Sequence, residues 1–190
     1  MQGAPATAAI IPGAVDRATL ERARRGDRAA FEALIAVRLD RLFRTAWAIV
    51  GNEADAADAA QDACLSAWKN LPRLREIDRF DGWLERILVN SCRMQLRRRR
   101  HRVREIAMPD GFDRPDADAR GPASIDEIDL VARAFDRLDA DARSLLVLHH
   151  YRHEPLDRIA ASLGIPVGTV KWRLHAARKA LERALEGERR

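Results

Sequence analysis

Residues 159–181 read IAASLGIPVGTVKWRLHAARKAL, and this stretch predicts two helices joined by a tight turn. Ile159 and Leu163 recur at helical spacing before Gly164, a residue type that commonly ends a helix. The next helix begins after Pro166. Its predicted apolar face, at 100° per residue, consists of Val167, Val170, Leu174, Ala177 and Leu181. The stretch therefore predicts a helix-turn-helix.

The second of these helices carries cations on the faces that its apolar stripe leaves free. Directly opposite the stripe lie Gly168, Trp172, His175, Ala176 and Lys179. Thr169 and Arg173 flank one side, and Lys171 and Arg178 flank the other. When a helix enters the DNA major groove, its outward side chains meet base edges while flanking cations reach phosphates. The arrangement favours DNA recognition over a helical hairpin with a solvated basic face.

The composition indicates an all-α protein, because alanine, leucine and arginine are frequent and runs of β-branched residues are scarce. The net charge is +7 over residues 16–104, −7 over 105–142 and +5 over 143–190. Two basic blocks around an acidic one suggest two modules that face a polyanion, joined by a connector. We find no apolar run of transmembrane length and no signal peptide, so we expect a cytoplasmic protein without membrane insertion.

The helical pattern divides the chain into two small bundles. Residues 1–15 carry no charged side chain and predict a disordered tail, and 16–104 form the first bundle. Residues 105–123 are rich in proline and acidic side chains, which predicts a flexible linker. The second bundle covers 124–187, contains the helix-turn-helix and is expected to begin at a capping box at Ser124.

Inside the first bundle the pattern becomes helical from Ala18 onward. One apolar stripe consists of Phe31, Leu34, Ile35, Leu39, Leu42, Phe43, Ala46, Trp47 and Val50. The dipeptide Gly51–Asn52 is expected to end the helix that carries this stripe. A further helix is predicted from about Glu53 to Leu71, and another from about Phe80 to the run RRRRHR.

The helix predicted from Glu53 to Leu71 carries an acidic strip opposite its alanines. The strip consists of Asp55, Asp58, Gln61 and Asp62. Acidic residues are useful in an otherwise basic module if they meet a basic surface of another protein. The alternative is a solvated face whose first acids complement the helix dipole. The residues alone leave both interpretations open.

Metal binding and catalysis find little support in the sequence. His149 and His153 have the spacing of metal ligands, but Pro-Leu-Asp follows His153-Glu154 where an HExxH motif needs a second histidine. Cys64 and Cys92 are far apart, so neither a zinc site nor a disulfide framework is expected. No glycine-rich phosphate loop occurs. We therefore predict no cofactor and no enzymatic activity.

Three ordered motifs give the chain a family resemblance. AADAAQDACLSAW (56–68) resembles region 2.2 of bacterial sigma factors. FDGWLERILVN (80–90) followed by LRRRR (96–100) resembles regions 2.3 and 2.4, and IAASLGIPVGTVKWRLHAAR (159–178) resembles region 4.2. Their order, without a region 3 domain between them, is similar to the extracytoplasmic function (ECF) sigma factors of the sigma-70 family. The resemblance covers nearly the whole chain.

The resemblance implies partners and roles. Asp58, Gln61 and Asp62, with Asp55 beside them, would bind the β′ clamp of core RNA polymerase, and other surfaces would contact the β subunit. The −10 promoter element, with a flipped base, would be held by Arg73, Arg75, Arg79, Trp83, Asn90, Arg97, Arg98, Arg99 and Arg100. The −35 element would meet Gly168, Thr169, Lys171, Trp172, Arg173, His175, Ala176, Arg178 and Lys179. An anti-sigma factor is expected to cover these faces, and the acidic linker to occupy a basic polymerase channel.

Some residues depart from the family's pattern, and other functions stay open. The departures are Cys64, Met94, Arg158 and Trp172, the last of which stands where a small residue is common. A stand-alone helix-turn-helix regulator would self-associate on palindromic half-sites, but it leaves the acidic strip unexplained. A module that only sequesters an anti-sigma protein would have no use for the arginine run.

Overall fold

The computed structural model describes residues 17–106 and 127–189, and within these ranges the chain is helical and contains no strand. The described α-helices are α1 (Arg17–Arg24), α2 (Arg28–Ala36), α3 (Leu39–Val50), α4 (Glu53–Asn70), α5 (Phe80–Ile106), α6 (Glu127–Asp136), α7 (Ala140–Leu146), α8 (Leu156–Leu163) and α9 (Val167–Glu188). Short 3-10 turns cover Leu71–Arg73 and Ile77–Arg79, and a π-helical segment, Val147–Tyr151, extends α7. The helices form two regions, α1–α5 and α6–α9, which confirms the predicted all-α class.

The centre of the first region is α4, which packs against α3 and α5. Its inward alanines are fully buried, and their small side chains let the neighbouring helices approach closely. Gly51 ends α3 with a φ of +83°, and Asn52 caps α4 by accepting a hydrogen bond of 2.8 Å from the Asp55 N–H. The predicted break at Gly51–Asn52 and the helix predicted from about Glu53 to Leu71 are thus confirmed.

The apolar stripe predicted between Phe31 and Val50 is divided between α2 and α3. The chain turns at Val37 and Arg38, where Arg38 is buried and its guanidinium binds groups on two helices. Arg38 Nη1 donates to the Leu34 carbonyl at 2.8 Å, and Nε donates to Asp81 at 2.6 Å. Leu39 and Trp47 are 49% and 53% exposed, so the prediction that they face inward was wrong.

The second region is built around α7, α8 and α9. Leu148, Ile159 and Val170 are almost completely buried between these helices. The C-terminal end of α9 is fixed to α6, because the Glu188 carboxylate accepts a hydrogen bond of 2.9 Å from Arg133 Nε and also pairs with Arg137. The helix-turn-helix α8–α9 therefore rests on a folded support.

The two regions pack against each other, which was not predicted. Helix α5 contacts both α7 and α8, and buried residues of both regions form one hydrophobic cluster. Arg93 Nε on α5 donates to Asp141 Oδ1 on α7 at 2.5 Å. The guanidinium of Arg86, also on α5, lies against the backbone of Gly164 after α8. Much of this contact is formed by charged side chains.

Several predictions fall on residues outside the described ranges. These are the tail over residues 1–15, the cap at Ser124 and the linker beyond residue 106. Helix α5 includes residues 105 and 106, so it overlaps the predicted linker by two residues. The boundaries at 16–104, 105–123 and 124–187 stay predictions. Within the described ranges, no helix has the length and apolar content needed to cross a membrane.

Candidate nucleic-acid and protein interfaces

The outward face of α9 is exposed along the first half of the helix. Of the residues predicted to face inward, Val170, Leu174 and Ala177 are buried and Leu181 is half-buried, whereas Val167 is 38% exposed, so its predicted inward position was wrong. The exposed residues are Gly168, Lys171, Trp172, His175, Ala176 and Lys179, and the flanking Thr169 and Arg173 are half-buried. Trp172 is 68% exposed, so a large aromatic surface lies open beside a lysine. Such a surface suits contact with a partner.

The turn before α9 is fixed by Gly164 and Pro166. Gly164 has a φ of +68°, which L side chains rarely adopt, and its N–H donates to the Ala160 carbonyl. The Ile165 N–H donates to the same carbonyl at 3.1 Å, and Pro166 forms the N-cap of α9. A Cβ built at Gly168 would meet no atom within 4 Å, so the backbone of the first turn is open to a ligand.

Arg178, one of the predicted flanking cations, is hydrogen-bonded to His150, which was not predicted to belong to this site. Its Nε donates to Nε2 of His150 at 3.2 Å. Burial, and then the charge of Arg178, lower the pKa of His150, which keeps the imidazole neutral and able to accept. The sequence offered little signal for this contact, since His150 lies 28 residues away on the π-helical segment.

The loop between α4 and α5 presents three arginines to solvent. Arg73, Arg75 and Arg79 are exposed, while the intervening Leu74 and Ile77 are buried and anchor the loop. Exposed cations on an anchored loop suit contact with phosphates, and Arg79 Nε also forms an exposed ion pair of 2.8 Å with Glu76.

Two further residues predicted to contact the −10 element lie on α5 and differ in exposure. Trp83 is half-buried, and its ring packs against Phe80 with a centroid distance of 5.9 Å. Asn90 is exposed. The tryptophan therefore has a packing role whatever else it contacts.

The acidic strip on α4 lies next to the basic run on α5, because these two helices pack side by side. Asp62 Oδ2 lies 3.5 Å from Arg98 Nη1, and Asp55 Oδ2 lies 3.9 Å from Arg99 Nη1. Arg97 is exposed, and the side chain of Arg100 lies outside the described residues. The residues predicted to bind polymerase and those predicted to bind DNA backbone thus share one surface.

The members of the acidic strip are not equivalent. The Asp55 side chain is only 15% exposed and accepts a hydrogen bond of 2.7 Å from Asn52 Nδ2, so it belongs to the cap of α4. Asp58 and Gln61 are exposed, and Asp62 is partly so. Leu65, one turn beyond Gln61, is 51% exposed and was not predicted to belong to this surface, although its i+4 spacing from Gln61 could have indicated it.

The described part of the chain contains no group of three metal-ligating side chains. His149 Nδ1 lies 3.3 Å from the Glu154 carbonyl, and His153 follows in a left-handed conformation with a φ of +54°. Burial raises the pKa of the Cys64 thiol. Burial also raises the pKa of Cys92, to about 12, so both thiols are protonated at neutral pH.

Comparison with protein families gives two matches. Residues 34–102 match the family Sigma-70 region 2, and residues 128–181 match the family Sigma-70, region 4. The first match contains α4, the following loop and most of α5, and the second contains the helix-turn-helix. The exposed acidic strip and the exposed recognition face therefore lie in separate matched regions.

Individual proteins show the same similarity. The ECF RNA polymerase sigma factor SigM of Mycobacterium tuberculosis is 34% identical over 84% of this chain and 79% of its own length. The ECF RNA polymerase sigma factor SigE of Mycolicibacterium smegmatis is 33% identical over 82% of this chain, which spans 63% of that relative. A solved structure of CnrH in complex with the cytosolic domain of CnrY has a TM-score of 0.63 and 29% identity, covering 90% of this chain and 97% of that chain.

Proposed function

The chain belongs to the sigma-70 family of RNA polymerase sigma factors, in its ECF group, and from this membership we propose how its surfaces divide the work of transcription initiation. The first region would bind core RNA polymerase and the −10 element, and the second region would bind the −35 element. The observation that carries this division is that one chain exposes both an acidic strip on α4 and a cation-flanked face on α9.

On the polymerase side, Asp58, Gln61 and Asp62 would meet basic groups of the β′ clamp, and Leu65 would add apolar contact. Charged rims set the partner and the rate of association, while buried apolar anchors supply much of the affinity. The cap position of Asp55 places it behind this surface rather than on it. We therefore assign Asp55 an indirect part, through the first turn of α4.

On the DNA side, the exposed loop arginines and Asn90 would hold the −10 element, with Arg97 and Arg98 on the phosphates. The exposed face of α9 would enter the major groove at the −35 element, where Lys171, Trp172 and His175 can reach base edges. Residues 16–104 and 124–187 would act as two units joined through 105–123. Polymerase would perform the chemistry, and the sigma factor would select the promoter.

A regulatory protein partner is also proposed. CnrH, whose fold this chain resembles, was solved in complex with the cytosolic domain of CnrY. An anti-sigma factor bound in a comparable way would cover the α4 strip or the face of α9. A stoichiometric protein that copurifies with the chain from its native host, and that competes with core polymerase, would support this part of the proposal.

A stand-alone DNA-binding regulator is not favoured. It would need the helix-turn-helix, but it would not need a region that matches Sigma-70 region 2. Its oligomeric state would also differ, because binding to palindromic half-sites requires a dimer.

The proposed function is tested by equilibrium binding of the full chain to purified core RNA polymerase. The double variant Asp58→Arg/Asp62→Arg should weaken binding at least about tenfold, because like charges would face each other at the interface. The matched control is Glu32→Arg/Asp40→Arg, which makes the same charge change at exposed positions on α2 and α3. Equal affinities of the two double variants would contradict the assignment of the strip.

A further inference from the structure

We infer that Asp62 and Arg98 exchange partners when the sigma factor assembles on polymerase and DNA, so that binding of either one strengthens binding of the other. This inference rests on the proposed function, which gives Asp62 to polymerase and Arg98 to the DNA backbone. In the free protein these two side chains bind each other, with Asp62 Oδ2 and Arg98 Nη1 3.5 Å apart.

The pair is placed where both partners can be reached. The side chains of Asp62 and Arg98 are 46% and 56% exposed, so neither has to leave a buried site. An exposed ion pair contributes little to stability and is easily replaced by contacts with a third charged group. The pair is therefore suited to exchange rather than to holding α4 against α5, which buried apolar residues of both helices already do.

The neighbouring pair, Asp55 and Arg99, differs from Asp62 and Arg98 in how firmly its carboxylate is held. Asp55 lies 3.9 Å from Arg99, but the Asp55 carboxylate is also held by Asn52 Nδ2 at 2.7 Å and is mostly buried. It cannot turn outward without breaking its hydrogen bond to the N-cap residue Asn52. Asp62 is thus the acid that can pass from the arginine run to a partner.

The direction of the coupling follows from the charges. While Arg98 is paired with Asp62, its charge is partly neutralised and its attraction to phosphate is reduced. When a basic group of polymerase binds Asp62, the ion pair is broken and Arg98 is free to bind DNA. When a phosphate binds Arg98, Asp62 is in turn free to bind polymerase. Thermodynamic linkage requires that polymerase strengthens DNA binding by the same free energy by which DNA strengthens polymerase binding.

The first experiment needs no polymerase. Binding of the full chain to a fluorescein-labelled duplex of arbitrary sequence is measured across a salt series for Asp62→Asn and Asp58→Asn. Both variants remove one negative charge from α4, one turn apart, but within the described residues Asp58 forms no ion pair. If the inference holds, Asp62→Asn binds DNA up to about fivefold more tightly than Asp58→Asn. Its salt dependence should also be steeper by about 0.9, the value for one added phosphate contact.

Equal DNA affinity and equal salt dependence of the two variants would overturn the inference, and so would weaker binding by Asp62→Asn. Unchanged DNA binding by Arg98→Gln would overturn it as well, since Arg98 would then not contact phosphate. Failure of the polymerase assignment leaves this experiment unaffected, so the two failures are distinguishable.

The second experiment measures affinity for core polymerase in a double-mutant cycle. Arg98→Gln should strengthen polymerase binding by up to about fivefold in the wild-type background, because Asp62 is no longer neutralised. The same substitution should have no such effect when Asp62 is already Asn. An equal effect in both backgrounds would show that Arg98 acts on polymerase directly and would overturn the exchange.

Discussion

Arg143 Nη1 on α7 lies 3.5 Å from the carbonyl oxygen of Ile49 at the end of α3, and this contact joins the second helical region to the first. The buried guanidinium also lies 2.9 Å from the Asp136 carboxylate and donates to the Leu138 carbonyl at 3.3 Å. One side chain therefore satisfies acceptors from two regions, a use for which the planar, forked guanidinium is suited.

Arg143→Ala should lower the free energy of unfolding by about 2–4 kcal/mol, because it removes the hydrogen bonds that the buried guanidinium donates to carbonyls of both regions. Urea unfolding of the full chain measures this loss. Arg44→Ala is the control, since among the described residues Arg44 forms an exposed i,i+4 pair with Asp40 alone, and its loss should cost less than about 0.5 kcal/mol. Equal losses in the two variants would contradict a bridging role for Arg143.

Asp55→Ala should destabilise the protein by about 1 kcal/mol, whereas Asp58→Ala should change stability little. Asp55 is hydrogen-bonded to the N-cap residue Asn52, and Asp58 is exposed. Thermal unfolding of both variants, read beside their polymerase affinity, separates support of the helix from contact with a partner. If Asp55→Ala unfolded at the wild-type temperature, the cap assignment would be wrong.

Gly164→Ala should cost at least about 1–2 kcal/mol, because an L residue at a φ of +68° is strained. The added Cβ would also lie 3.2 Å from the guanidinium nitrogens of Arg86. Gly168→Ala, where a Cβ would meet no atom within 4 Å and the residue is helical, is the matched control for stability. It should leave the unfolding midpoint unchanged or raise it slightly.

Replacement of Glu85 should change how stability depends on pH. Burial, and then the charge of Glu154, raise the pKa of Glu85, against the opposing charges of Arg152 and Arg41. A carboxyl whose pKa is raised in the folded state contributes its full stability below the unfolded pKa of about 4.5 and loses it as pH rises through the folded pKa. Wild type should therefore lose stability relative to Glu85→Gln between about pH 4.5 and neutral pH.

Urea midpoints of wild type and Glu85→Gln across that pH range measure the difference. A difference that stays constant with pH would show that Glu85 titrates alike in the folded and unfolded chain.

Trp172→Ser should change which −35 sequences are selected, without changing affinity for core polymerase. The indole is the largest exposed side chain on the outward face of α9, and the T methyl group is an apolar contact available in the major groove. In vitro selection from promoters with randomised −35 positions measures the preference of each holoenzyme. Val131→Ser, which removes an exposed apolar side chain from α6, is the control and should select wild-type sequences.

The helix-turn-helix was predictable because its signals are local. Gly164 and Pro166 mark the turn, and helical periodicity sets which residues of α9 face outward. The exposed side chains on that face agree with the prediction. The break of the long stripe at Arg38 was not predictable in this way. A buried arginine that pairs with Asp81, 43 residues away, has the same appearance in sequence as a solvated cation.

The contact between the regions was missed for the same reason. Arg86, Arg93 and Asp141 carry charges that are ordinarily solvated, and the pattern of a sequence does not show which charged side chains find each other across a long separation. The acidic strip was found, but the distinct position of Asp55 within it depends on the rotamer of Asn52, which periodicity does not specify.

Direct packing of α5 against α8 determines whether the two proposed DNA-binding faces can contact both promoter elements at the same time. Elements named for positions −10 and −35 have centres about 25 base pairs apart, which corresponds to about 85 Å along B-form DNA. Arg86 lies against Gly164. Asn90 of the first face is one helical turn from Arg86 on α5, and Gly168 of the second face is four residues after Gly164, so the two faces proposed for DNA are far closer than that. If both faces bind one promoter, α5 and α8 must separate, and the free energy of their contact is subtracted from the affinity of the sigma factor for its promoter.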